Sequence, residues 1–306
     1  MILFSQGIDA ALAGLSGLLI GSFLNVVIYR LPKILECQWA ADCACAQQTP
    51  TQSTASPGAA ESTWPAPSPA SARPAPAAPL SLLTPRSHCP HCEHTIGWRE
   101  NIPVLSWIAL RGRCSACGQP VSARYPAVEL ATALLFAGCV WRWPGQWCAL
   151  AWCVLTAALI VLALIDWDTM ILPDGITLPL LWVALLAASM GLIPVTLADA
   201  IWGAAAGYLS LWSVGAGFKW VTGKEGMGHG DFKLFAALGA WLGWQALAPM
   251  LLIASVLGLV VALALKARKK LRADGYIPFG PFLAGAGLIS LFIGPAGLAR
   301  LAGLQI

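Results

Sequence analysis

The stretch WCALAWCVLTAALIVLALID, Trp147 to Asp166, carries no charge until its last residue. About 20 such residues suffice for a helix to cross the hydrocarbon of a bilayer. Lipid offers the backbone no water, so a helix that satisfies its own N–H and C=O groups is the natural reading. Comparable runs flank this one, at about 6 to 29, 126 to 141, 174 to 193, 197 to 218, 232 to 248, 250 to 266 and 278 to 298. The whole chain of 306 residues is 58% hydrophobic and 10% charged, with a mean hydropathy of +0.71. That composition excludes an ordinary soluble globule. The expected fold is an all-α polytopic membrane protein of about eight transmembrane helices, two of them (126 to 141 and 232 to 248) short for a bilayer.

Basic residues orient the bundle. The first 29 residues contain no Lys or Arg, and Arg30 and Lys33 follow the first run, so this run reads as a retained helix and not a cleaved leader. Arg30, Lys33, Arg86, Arg99, Arg111, Arg113 and Arg124 follow span one, Lys219 and Lys224 follow span five, and Lys266 to Arg272 follow span seven. By the positive-inside rule this shared side is cytoplasmic, with Arg142, Arg300 and both termini across the membrane. Trp141, Trp143 and Trp147 mark the outer interface, and Trp167 and Trp220 the inner one. The net charge of +4 therefore reports topology, and no nucleic-acid partner is expected.

Three regions follow: a first helix (1–30), a cytoplasmic loop (31–125), and a seven-helix membrane core (126–306). Within the loop, residues 46–85 hold nine Pro and ten Ala with few charges or large apolar side chains, a composition that cannot build a core. This insert is expected to be a disordered spacer. Small residues four apart, Gly17 with Gly21, Gly203 with Gly207 and Gly239 with Gly243, predict close helix packing.

The second half of the loop, 86–125, contains Cys89, Cys92, Cys114 and Cys117 as two CxxC pairs separated by 21 residues. Two such knuckles fill a tetrahedral shell and leave no open position, which predicts a structural zinc site. A pair of disulfides is the alternative, disfavoured in a reducing compartment. His88, His91 and His94 surround the first knuckle but are not needed as ligands. Cys37, Cys43, Cys45, Cys139, Cys148 and Cys153 are expected to pack or stay free.

Acids at the ends of apolar helices are expensive and need a partner or a task. Asp166 and Asp168 close the opening run, Asp174 begins the next, and Asp231 stands in GMGHGDFKLF, Gly226 to Phe235. The topology brings Asp166 and Asp231 to the same cytoplasmic edge. Two carboxyls held close share a proton, giving an acid and a base from one residue type, as in aspartic proteases. Taken singly, Asp231 and Asp174 each read first as a helix cap. Gly228 and Gly230 imply a tight bend or a close approach by another segment.

The segments GSFLNVVIYRLP (21–32), CPHC with NIPVLSW, RGRCSACGQPVSARYPAVEL, LIDWDTMILPD and GHGDFK together resemble the bacterial type IV prepilin peptidases, over nearly the whole chain apart from the insert. The resemblance implies catalytic aspartates at Asp166 and Asp231. It also implies cleavage of type IV prepilins and type II secretion pseudopilins after a glycine, at the cytoplasmic face of the bacterial inner membrane. The family then methylates the new N-terminal residue from S-adenosylmethionine. No GxGxxG follows a strand, so no residue is assigned to that cofactor. Glu129, Asp168 and Asp174 are candidates for receiving a basic leader. The insert departs from the family pattern and bears on loop geometry. Other classes compatible with boundary acids are a small proton- or cation-coupled transporter and a noncatalytic scaffold. The one-edge position of the acids and the lack of an inverted repeat argue against the transporter.

Overall fold

The computed structural model describes residues 2–48, 81–224, 226–269, 276–301 and 303, with the side chains of 2–5 and 44–48 excepted. The described residues form α1 (Ile2–Gln48), α2 (Leu105–Ala109), α3 (Arg124–Arg142), α4 (Cys148–Thr169), α5 (Asp174–Ser189), α6 (Leu197–Thr222), α7 (His229–Leu242), a 3-10 turn (Trp244–Ala246), α8 (Leu247–Ala267) and α9 (Gly280–Leu301). Their extended pairings are two isolated bridges, so the architecture is all-helical. Eight helices follow the eight apolar runs, and α2 lies in the polar loop. Among the described residues, four segments are long and apolar enough to cross a membrane by themselves: Gln6–Cys43, Cys148–Thr169, Trp244–Ala267 and Gly280–Leu301.

The short helix α7 lies at the centre. From Asp231 to Trp241 every residue except Lys233 is buried, with α5, α6 and α9 packed around it. Its 14 residues rise about 21 Å, less than the roughly 30 Å of bilayer hydrocarbon. Protein covers its faces, so its apolarity reflects a core as much as a lipid contact. Trp241 anchors it by donating Nε1–H to the Leu180 carbonyl of α5 at 3.0 Å.

Two helix pairs are the most extensive, α1 with α3 and α6 with α7, and both depend on the glycines spaced by four. A Cβ on Gly17 would lie 2.7 Å from Ala133 Cα, and one on Gly21 2.7 Å from Glu129 Cα. Between α6 and α7, Gly203 and Gly239 press backbone on backbone, and a Cβ on Gly207 would lie 2.7 Å from the Phe235 carbonyl oxygen. Gly203→Ala is therefore expected to lower stability by about 1–3 kcal/mol, the usual range for overpacking. Gly217→Ala on the same helix meets open space and should not. Thermal unfolding of both variants in the same detergent checks the contrast; equal midpoints would refute the close-packing account.

Two expectations are revised. The first helix does not end near residue 30. It continues through Pro32 to Gln48, because the following residues, KILECQWAADCACAQQ, are mostly good helix formers. Trp143, half-buried, turns inward from the outer belt: its ring packs 5.5 Å from that of Trp152 and 6.4 Å from that of Phe292. Trp141, Trp147, Trp167 and Trp220 are exposed, as an interface position requires. The Pro/Ala-rich insert lies, from 49 to 80, outside the described residues.

Near the end of α4 a second apolar cluster joins Leu24, Val27 and Ile28 of α1 to Val128 of α3 and to Ile160, Val161 and Ile165 of α4. It fixes the helix turn that carries Asp166.

Candidate active site

Helix α4 stops one residue after Asp168. Met170 adopts a left-handed conformation (φ 57°) and its N–H closes on the Asp166 carbonyl at 2.9 Å. The chain then runs through Leu172 and Pro173 into α5. Asp166 sits in the last turn of α4, 5% exposed, and Asp231 in the first turn of α7, 8% exposed. The two turns are brought together where the α4–α5 connection packs on the start of α7.

Local contacts explain the glycines around Asp231. Gly228 is the N-cap of α7. Gly230 faces Leu172, and a Cβ there would lie 2.7 Å from Leu172 Cβ, so glycine is what lets the α4–α5 connection approach α7. Lys233 reaches across to Asp174 at 2.7 Å, tying the start of α5 to the first turn of α7. His229 lies beside Phe232, ring centroids 5.5 Å apart.

The capping alternative is not what these acids do. Neither α5 nor α7 has a side-chain cap hydrogen bond: Pro173 and Gly228 occupy the cap positions, Asp174 pairs with Lys233, and Asp231 Oδ1 is buried with no hydrogen-bond partner among the described residues. The acids assigned to a basic leader are also engaged. Asp168 pairs with Arg124 at 2.7 Å, and Glu129, 8% exposed, accepts the Val104 N–H at 2.8 Å. Glu129 thus shapes the loop before α2, because a buried carboxylate takes whatever donor its site supplies.

One contact was not anticipated from the sequence. Gly280, the first residue of α9, donates its N–H to Asp166 Oδ2 at 3.0 Å. The signal available was the local pattern IPFGPF, a glycine held between an aromatic and a proline at the start of an apolar run.

The four loop cysteines form a compact cluster. Their sulfurs all lie within 4.8 Å of one another, with Cys89 to Cys117 at 3.8 Å and Cys92 to Cys114 at 4.0 Å, and none is in a disulfide. A tetrahedron with metal–sulfur bonds of about 2.3 Å has edges of about 3.8 Å, so this donor set fits a four-thiolate zinc shell. The knuckles are built alike. Cys89 N–H bonds to the His94 carbonyl and Cys114 N–H to the Gln119 carbonyl, while the residue after each second cysteine, Glu93 (φ 57°) and Gly118 (φ 71°), takes a left-handed turn. The backbone N–H groups of His91 and Cys92 draw the Cys89 thiol down to about 7, and those of Cys117 and Ala116 also lower the Cys114 thiol. His94 turns to Glu100 at 3.3 Å and His88 to the Arg86 carbonyl, and none of the three histidines belongs to the cluster. Arg30, buried at the end of the first apolar run, binds the carbonyls of Ser81, Leu82 and Pro85 and so fixes the segment leading into the knuckles. Cys139, Cys148 and Cys153 are buried in the bundle and in no disulfide, while Cys37 and Cys43 are exposed.

Comparison with known proteins finds two family models along the chain. The family model described as Bacterial Peptidase A24 N-terminal domain matches residues 15–143, which contain the knuckles, and that of the Type IV leader peptidase family matches 153–263, which contain both aspartates. Proteins named prepilin leader peptidase/N-methyltransferase align along most of the chain. The one from Stutzerimonas stutzeri is 47% identical over 91% of this chain and 88% of its own length. That from Aeromonas hydrophila is 48% identical over 93% and 90%, and that from Pseudomonas aeruginosa 46% over 92% and 89%. No solved structure gives a significant match. These relationships leave the transporter reading without support. With an N-terminal unit that carries the knuckles and a second unit that carries both aspartates, the chain belongs to the bacterial type IV leader peptidase family.

Proposed function

We propose that the protein removes the leader of type IV prepilins and related pseudopilins by aspartic-protease chemistry and then N-methylates the new N-terminal residue. Relatives bearing both activities in their names align over nine-tenths of the chain, which supports the pairing of activities. The observation that supports the proteolytic reading is that Asp166 and Asp231, 65 positions apart, are both buried where the α4–α5 connection packs on the first turn of α7. One carboxylate takes a proton from water as it attacks the scissile carbonyl, while the protonated partner donates to the developing oxygen. The cleavage follows a glycine, on the cytoplasmic side of the bacterial inner membrane, with the eight helices of the apolar runs forming the spans and the lipid surrounding them. Zinc held by Cys89, Cys92, Cys114 and Cys117 would order the loop and leave no coordination position for substrate. S-Adenosylmethionine supplies the methyl group.

The test is direct. Purified protein in vesicles, given a prepilin-type substrate and methyl-labelled S-adenosylmethionine, is expected to release the leader and label the new N-terminus. An intact substrate after prolonged incubation with folded protein would remove the proteolytic reading. Cleavage without label would remove the methyltransferase half.

A further inference from the structure

Asp166 and Asp231 have the same side chain in unlike surroundings. Asp166 Oδ2 accepts the Gly280 N–H at 3.0 Å, whereas Asp231 Oδ1 is buried and has no hydrogen-bond partner among the described residues. The first N–H groups of a helix have no partner within it and carry a partial positive charge, so α9 favours an anion at this place. The approach requires a residue without a side chain: a Cβ on Gly280 would lie 2.6 Å from the same oxygen and 3.1 Å from Asp166 Cγ. A buried oxygen with no donor, by contrast, holds a charge poorly.

We propose that Gly280 is a positioning residue of the acid pair: its N–H holds Asp166 as the ionised member and leaves the shared proton on Asp231. The proposal rests on the two acids being the proteolytic site, and it assigns their roles. Asp166 takes a proton from water as the water oxygen bonds to the scissile carbon, and Asp231 gives its proton to the carbonyl oxygen. As the C–N bond breaks, Asp166 returns its proton to the amine nitrogen and Asp231 recovers one from the collapsing diol, so both acids end as they began.

Several other charged groups described around this end are engaged elsewhere. Arg124 of α3 is paired with Asp168, Glu129 of α3 with the Val104 N–H, Arg30 of α1 with three loop carbonyls, and Asp174 of α5 with Lys233 of α7. Lys33 of α1 lies over the Tyr29 ring, and His229 of α7 beside Phe232. Within α9, the charged residue is Arg300 at its far end.

The chain contains one Phe–Gly step, Phe279–Gly280, so carbonyl-13C phenylalanine with 15N glycine isolates the Gly280 amide in a two-dimensional NMR spectrum. From about pH 3 to 9, spanning carboxyl titration, the amide proton is expected to shift in a step as the acceptor gains charge. The step should vanish in Asp166→Asn and persist in Asp231→Asn. A flat signal in the unmodified protein, or a step lost in Asp231→Asn and kept in Asp166→Asn, overturns the proposal. In cleavage assays Gly280→Ala should move the acidic limb of the pH–rate profile upward by about one unit, because a carboxylate that loses its donor protonates more readily. A uniform loss of rate with the limb unmoved would mean a structural role only. The amide titration needs no substrate, so an absence of cleavage counts against the proposed function and leaves this result to stand or fall alone.

Discussion

Asp166→Asn and Asp231→Asn should each lower the rate of leader cleavage by at least about a thousandfold, with little loss of folded protein. General acid–base steps are worth roughly 10²–10⁴-fold each, and here both acids transfer a proton in each step. Asparagine keeps the size of the side chain, and at 166 it keeps an oxygen able to accept the Gly280 N–H, so packing survives while proton transfer does not. The double variant should be hardly worse than either single one, since removing one member of a working unit already disables it. Asp168→Asn and Asp174→Asn are the controls: their partners Arg124 and Lys233 lie in exposed pairs, where loss costs about 0–1 kcal/mol. Initial rates on a purified prepilin-type substrate, with thermal unfolding of each variant alongside, decide the matter. Wild-type cleavage by either folded dyad variant sinks the assignment, and a thousandfold loss in Asp174→Asn would move the chemistry elsewhere.

The legibility of this chain divides along physical lines. Apolar length exposed the helices, because hydrocarbon imposes a threshold visible in one dimension. It did not distinguish helices facing lipid from helices facing protein: α7 is an apolar run of 14 residues that is wrapped by its neighbours. Local spacing worked where the interaction repeats along a single helix, as with Gly17 and Gly21 or Gly203 and Gly207. It failed where the partner is far away in the chain. Nothing near Glu129 announces that Val104 will claim it, and nothing near Trp143 announces Trp152 and Phe292. The acid pair was reached by topology, which fixes an edge and not a contact. Gly280 escaped because it lies 114 positions from Asp166, and glycines are too common here for one of them to stand out.

The second large effect concerns the loop. Cys114→Ser is expected to abolish stoichiometric zinc, from about one ion per chain, since a hydroxyl is a poor substitute for thiolate in a closed four-sulfur shell. Structural zinc contributes roughly 10–16 kcal/mol of apparent binding energy in small zinc-finger peptides, and the knuckle segment has little apolar core of its own to replace it. The loss should therefore be local. Residues 86–121 should become quickly cleaved by added protease, while the bundle, held by the Gly203–Gly239 contact and the α7 core, unfolds near its usual temperature. Leader cleavage should fall less than in the aspartate variants, because Cys114 supplies no group to the acid pair. Yet it should fall measurably: Val104, at the start of α2 beside the knuckles, is bonded to Glu129 of α3, and α3 packs on the helix that carries Asp166. Metal analysis by mass spectrometry, limited proteolysis and the cleavage assay on one preparation separate these outcomes. Zinc retained at one per chain with the thiol gone would contradict the four-cysteine site, and a loss of cleavage as deep as in Asp231→Asn would mean that the loop is part of the catalytic unit and not a support for it.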